Sequence, residues 1–243
     1  MNKKKLLSIA LVVALLAIMV SGSLAYFTAQ DEVKNTFTVG SVQIDIYENG
    51  TQTDDPVREL GQLLPVVAED PSEDVNYIGK VVDVKNTGLN AAFVRTHIAM
   101  PAALVNYLVL DVVLENTDWT YVGATTATVE GEDYAVYTYD HTTSVAAGEF
   151  TDELLQGVYL KSHVDLEADA NGNLQFILRD LQTGNKTEES GFVAHKLNAD
   201  GTYTTQTVNV LVVSQAIQTQ GFEGGTATKA LDSGFGTNTN PWA

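Results

Sequence analysis

The side chains best able to do chemistry in this chain are four histidines, one Arg-x-His pair and one run of acids. His97, His141, His163 and His195 stand far apart. None has the His-Glu-x-x-His spacing that sets two imidazoles on one helical face beside a general base. No Gly-x-Ser-x-Gly elbow and no phosphate-cradling Gly loop is present either. Arg95 and His97 fall on one face of an alternating stretch with Phe93. No carboxylate or nucleophile nearby in sequence completes a constellation with them, so the face reads as an exposed sheet surface.

The acids with ligand spacing are Asp165, Glu167 and Asp169, followed by Asn171 and then Gly172. Alternate oxygens before a Gly turn make these four the calcium candidates. A helix-loop-helix calcium loop also needs a bidentate Glu at its twelfth position, and counting from Glu167 that position is Leu178. Asn171-Gly172 reads more simply as the turn of a hairpin. Glu48 to Asp74, rich in Asp, Glu, Gly and Pro, reads as an ordered loop whose acids, Glu69-Asp70 and Glu73-Asp74 among them, form a solvated face. With no cysteine anywhere, thiol catalysis, disulfides and lipid anchoring through a lipobox cysteine are excluded. No catalytic group and no resident cofactor is legible.

The elements that must position these groups begin with an export signal. Lys3, Lys4 and Lys5 precede the uncharged run Leu6 to Val20, and Ser21 to Ala25 is a small-residue exit, the tripartite layout of a signal peptide. The run is shorter than the roughly 20 residues of a membrane span, which argues against a retained anchor. Cleavage is expected between Ala25 and Tyr26, leaving no membrane segment in residues 26–243. Three of the 13 Lys and Arg and none of the 31 acids lie in residues 1–25. Residues 26–243 therefore carry 10 basic against 31 acidic side chains, net −21. Such a surface repels nucleic acid and anionic lipid.

Residues 26–243 read as one all-β domain, a single β-sandwich of about ten short strands with few helices. Phe37 to Tyr47 alternates as the first strand, with a phase change at Gly40-Ser41. Ile78 to Lys85 and Ala91 to Met100 read as a hairpin across Asn86 to Asn90. A second hairpin turns around Gly131-Glu132. Leu108 to Leu114, Leu154 to Leu160, Leu174 to Leu181 and Gly191 to Leu197 read as further strands. Asp200-Gly201 turns into a long run from Tyr203 to Gln220, in which Val208, Val210 and Val212 share a face. Thr183 to Tyr203 is an insertion-like hairpin. Residues 221–243 read as a loose tail with one helical turn near Lys229 to Leu231.

Ala25-Tyr26-Phe27, then Asn35 to Ile46, then Val81 to Gly88 with Ala92 to Arg95, and finally Ser214 to Phe222, resemble in their order the TasA/camelysin family of Gram-positive secreted proteins. The resemblance implies a jelly-roll sandwich, removal of the signal by a signal peptidase of the SipW type, and a role as fibre subunit of a biofilm matrix that adds by donor-strand complementation. The family also carries a metallopeptidase label, which would draw on His97, His141, His163 or His195. A monomeric surface adhesin is the third reading.

The residues fit the fibre reading independently. Residues 26–36, freed by cleavage, form a segment able to pair with the open sheet edge of a neighbour. Tyr26, Phe27, Val33 and Phe37 are its apolar pegs, and it contains no proline. Lender and acceptor are different surfaces of one subunit, so the contact propagates into a homopolymeric fibre; the alternative is that Tyr26 to Thr36 is a disordered leader or pairs within its own subunit. With neither a hydrophobic tail nor a basic cluster at Asn240 to Ala243, retention at a cell surface would need an accessory matrix or anchoring protein.

Overall fold

A computed structural model describes residues 28–31, 42–52, 63–222, 225–237 and 240–242. Ala25, Tyr26, Phe27, Val33 and Phe37, and with them the cleavage site and the pegs of the donor segment, lie outside the described residues. The fold is an all-β sandwich whose ladders are all antiparallel.

One sheet has the order β3–β2–β4–β9–β6, built from β2 (Ile44–Glu48), β3 (Thr51–Gln52), β4 (Ile78–Asn86), β6 (Leu108–Val112) and β9 (Leu155–Leu160). The facing sheet has the order β1–β14–β5–β8–β7, built from β1 (Thr28–Asp31), β5 (Ala92–Pro101), β7 (Trp119–Val129), β8 (Glu132–His141) and β14 (Leu211–Gln218). The chain winds between the two, with β4 in one, β5 in the other, β6 back again, and its first and last strands side by side. That winding is jelly-roll-like.

Alternation drives it. Lys80, Val82, Val84 and Asn86 of β4 are buried while the residues between them are not, and Val82 and Val84 meet Val94, Ile98, Val158, Leu160, Val212 and Ala216 in one core. Val208, Val210 and Val212 all join this core, as their shared face predicts.

A four-stranded sheet, β10 (Val164–Ala168), β11 (Leu174–Arg179), β12 (Lys186–Leu197) and β13 (Tyr203–Thr205), forms from the insertion-like region. It is not a separate body, because Val164, Phe176 and Ala194 enter the same core. The long run from Tyr203 to Gln220 is accordingly two strands in two sheets, β13 and β14.

Three further expectations are corrected. The segment Asn86 to Asn90 is not a hairpin turn but a corner between sheets. Its amides leave the ladder: Thr87 and Gly88 N–H both donate to the Gln43 carbonyl (2.9 and 3.0 Å), and Asn86 Nδ2 donates to the carbonyls of Asn90 and Val145 (2.8 and 2.9 Å). Glu48, read with the solvated acids that follow it, is buried and accepts from Lys80 Nζ at 2.7 Å. The tail is ordered well beyond one helical turn. Thr226 caps a helix, α1 (Ala227–Phe235), by accepting from Lys229 N–H, and Ala227, Ala230 and Leu231 pack on Ile217 of β14.

The second predicted hairpin is present with its turn one residue earlier. Glu130 and Gly131 have φ of 53° and 88°, the paired left-handed conformation of a two-residue turn whose twist matches its strands.

Candidate functional site

The face that carries Arg95 and His97 is interior, not an exposed surface. Arg95 donates to both carboxylate oxygens of Asp140 (2.7 and 3.0 Å), to Asp232 Oδ1 of α1 (2.8 Å) and to the Gly236 carbonyl (2.8 Å). Asp140 faces Arg95 in register across β5 and β8. The carboxylates missing from its sequence neighbourhood come from a facing strand and the C-terminal helix, which roofs the pair. His97 lies between Thr138 Oγ1 (3.0 Å) and Gln215 Oε1 (3.3 Å). Burial outweighs the hydrogen bond to Gln215 and pushes its pKa down to about 4, so the ring is neutral. Both side chains are fully buried, and their bonds tie β5 to β8, β14 and α1.

The other histidines are dispersed. His141 ends β8, His163 precedes β10, and His195 of β12 bonds Thr205 Oγ1 at 3.0 Å. Among the described residues no group of three potential metal ligands contains two histidines.

The calcium candidates are engaged with other partners. Asp165 Oδ2 accepts from Arg179 Nε (2.7 Å), which holds its pKa below the usual range. Glu167 Oε1 accepts from Lys186 Nζ (2.6 Å). Asp169 accepts from the Asn173 side chain and from the N–H groups of Asn171 and Asn173, closing the β10–β11 turn. These residues do not come together as a three-ligand group; among the described residues that arrangement occurs only at Asp118, His141 and Asp152. Asp70 and Asp74 are likewise occupied by the amides of their own loop, at Ser72, Val67, Ala68 and Asn76.

The arrangement best suited to a function is backbone, at the edge where β1 meets β14. The four residues of β1 pair antiparallel with β14, Thr28 opposite Ile217, Ala29 opposite Ala216, Gln30 opposite Gln215 and Asp31 opposite Ser214. The middle of the predicted donor segment is thus paired within its own chain.

Beneath it, β14 is buried along its whole length. One face, with Val212 and Ala216, looks into the main core. Ile217 on the other is covered by α1, and Leu211 by a cluster that includes Trp242. Among the described residues, β5 pairs with all eight residues of this interior-grade strand and β1 with four of them, Ser214 to Ile217. Without β1, the N–H and C=O groups of β14 that it pairs with would be a template for another strand. Sequence reasoning singled out the segment that contains β1 but not β14 as the strand it pairs with, although apolar residues on both faces of β14 are the signature of a buried strand.

Compared with protein-family models, curated proteins and solved structures, the chain matches none. Among the described residues no helix is long and apolar enough to cross a membrane.

Proposed function

We propose that this chain is a secreted structural subunit of extracellular fibres, of the biofilm-matrix kind found in the TasA/camelysin family its sequence resembles. Each subunit adds by placing its N-terminal strand on the β14 edge of a neighbour. The observation that carries the reading is the position of β1, a four-residue edge strand that follows closely on the predicted cleavage site and lies on an otherwise fully buried strand.

The same ladder bonds form whether β1 comes from its own subunit or another, so exchange changes connectivity without loss of bonds. Twelve residues, 32–43, separate β1 from β2, and a chain of that length reaches at most about 40 Å, enough to cross to an adjoining subunit. When each subunit gives its strand forward and accepts one from behind, the assembly is open and grows as a filament. Removal of the signal by a SipW-type peptidase frees the strand from the membrane and confines assembly to the outside of the cell. The net charge of −21 derived above opposes contact, so salt, which screens it, favours growth. An accessory protein would supply nucleation or anchoring.

The test is negative-stain electron microscopy of purified protein beginning at Tyr26 beside protein beginning at Phe37, which lacks β1. Fibres from the first and none from the second are expected. Monomers from both, at physiological salt and above, would overturn the reading and leave an adhesin or a peptidase.

A further inference from the structure

Three potential metal ligands from distant parts of the chain converge at one end of the sandwich, independently of the β14 edge. One candidate ligand atom each from Asp118, His141 and Asp152 lies within 4.8 Å of the other two. Asp118 immediately precedes β7 and His141 closes β8. Asp152 sits in the segment that enters β9, which is bonded to the opposite sheet through Thr151 N–H to the Val84 carbonyl and Leu154 N–H to the Val82 carbonyl (both 2.8 Å).

The imidazole is prepared for a cation. His141 is only 5% exposed, and its Nδ1 lies 2.9 Å from the Thr143 carbonyl oxygen. A carbonyl can only accept, so in the neutral ring Nδ1 carries the proton and the lone pair is on Nε2. Nε2 is buried without a hydrogen-bond partner among the described residues. It lies 3.7 Å from Asp152 Oδ2, too far for a hydrogen bond. A donor anchored at Nδ1 by a main-chain carbonyl, with Nε2 bare, is how proteins fix a metal-binding histidine.

The surrounding bonds hold the ring and the acids in place. The Trp119 ring packs edge-on against His141, with centroids 5.0 Å apart, and Trp119 Nε1 donates to the Asp152 carbonyl at 2.8 Å. Asp118 N–H donates to Asp152 Oδ2 (2.7 Å), and Thr143 Oγ1 donates to Asp118 Oδ2 (2.6 Å).

We propose that His141 Nε2 and one carboxylate oxygen each of Asp118 and Asp152 form a zinc site, with water completing the coordination. Ligand atoms around a tetrahedral zinc at bonds of about 2.0 Å stand roughly 3.3 Å apart, so binding would draw the three atoms, which lie within 4.8 Å of one another, closer together. Two carboxylates neutralise the dication. The nitrogen ligand selects zinc-class ions over calcium and magnesium, which take oxygen. The exposed Asp152 side chain, 47% accessible, leaves a path of entry. Bound there, the ion clips the two sheets together where a cysteine-free protein has no disulfide to do so.

The test is calorimetric titration of the purified full chain, stripped with chelator, with zinc chloride. One zinc per chain is expected, with a rise in thermal midpoint. Loss of an outer-shell partner alone typically costs 10–100-fold in metal affinity, so Asp152→Asn, which removes a ligand, should weaken zinc by at least about 100-fold and abolish the thermal shift. The exposed Asp152 side chain makes this variant safe for folding, which circular dichroism checks. His195→Gln should leave zinc binding unchanged, and excess calcium should not displace it. Absence of bound zinc, binding that survives Asp152→Asn, or displacement by calcium would each overturn the site.

Discussion

His97 makes the protein lose stability in mild acid, and by an amount that its surroundings set. The ring lies on β5, opposite Val213 of β14 and Thr138 of β8, and burial lowers its pKa from 6.5 to about 4, with the Arg95 charge adding to the fall. Between those values the unfolded chain binds a proton that the folded one does not, so stability falls as pH drops through that window and is unaffected by this group above it. At about 1.4 kcal/mol per pH unit, the loss reaches roughly 2.5 kcal/mol by pH 4.5.

Urea unfolding at pH 7.5, 5.5 and 4.5, followed by tryptophan fluorescence, measures it against His97→Gln. The glutamine oxygen can accept from Thr138 and its amide can donate to Gln215, so the variant keeps the shape of the network without the titration. Every other titrating group is common to the two proteins and cancels in their difference. The wild type should lose that stability relative to the variant on acidification. Parallel curves from pH 7.5 to 4.5 would refute the reasoning.

Arg95→Met leaves the carboxylate of Asp140, whose side chain is fully buried, without its cation, and should cost about 3–5 kcal/mol in urea unfolding. Gly157→Ala places a Cβ 2.2 Å from the Tyr77 ring, forcing the ring away and breaking its 2.7 Å bond to Asp111; a cost of about 1–3 kcal/mol should appear as a lower thermal midpoint. Thr226→Ala removes the cap of α1 and should cost about 1 kcal/mol, with hydrogen exchange rising first in that helix.

The strands were legible because their side chains alternate. Val82 and Val84, Val94 and Ile98, and Val208 to Val212 announce their inward faces by period alone. The β7–β8 hairpin was legible too, because Glu130-Gly131 is local turn chemistry. Sheet membership was not: whether Asn86 to Asn90 folds back or crosses over depends on the Gln43 carbonyl, far away in the chain.

The same distance hid the interior role of Arg95, whose partners Asp140 and Asp232 lie 45 and 137 residues on. Counting outward from the β7–β8 turn brings Trp119 opposite Thr142, and the register shift between Tyr121 and Gly123 moves it opposite His141, so one half of the proposed zinc site could have been placed to within one residue. Asp152 could not, since it arrives from the other sheet. The partners of the calcium candidates were not legible either, because Arg179 and Lys186, which bond Asp165 and Glu167, come from other strands of the same sheet.

The most direct measurement of strand exchange uses the absence of native cysteine. Ala29 and Ala216 are directly opposed across β1 and β14, so Ala29→Cys with Ala216→Cys, in protein beginning at Tyr26, places the only two thiols at the joint. Oxidation after assembly should yield a ladder of covalent oligomers on a non-reducing gel, because each bond joins one subunit to the next. Disulfides confined to single chains in assembled material would contradict donor-strand assembly.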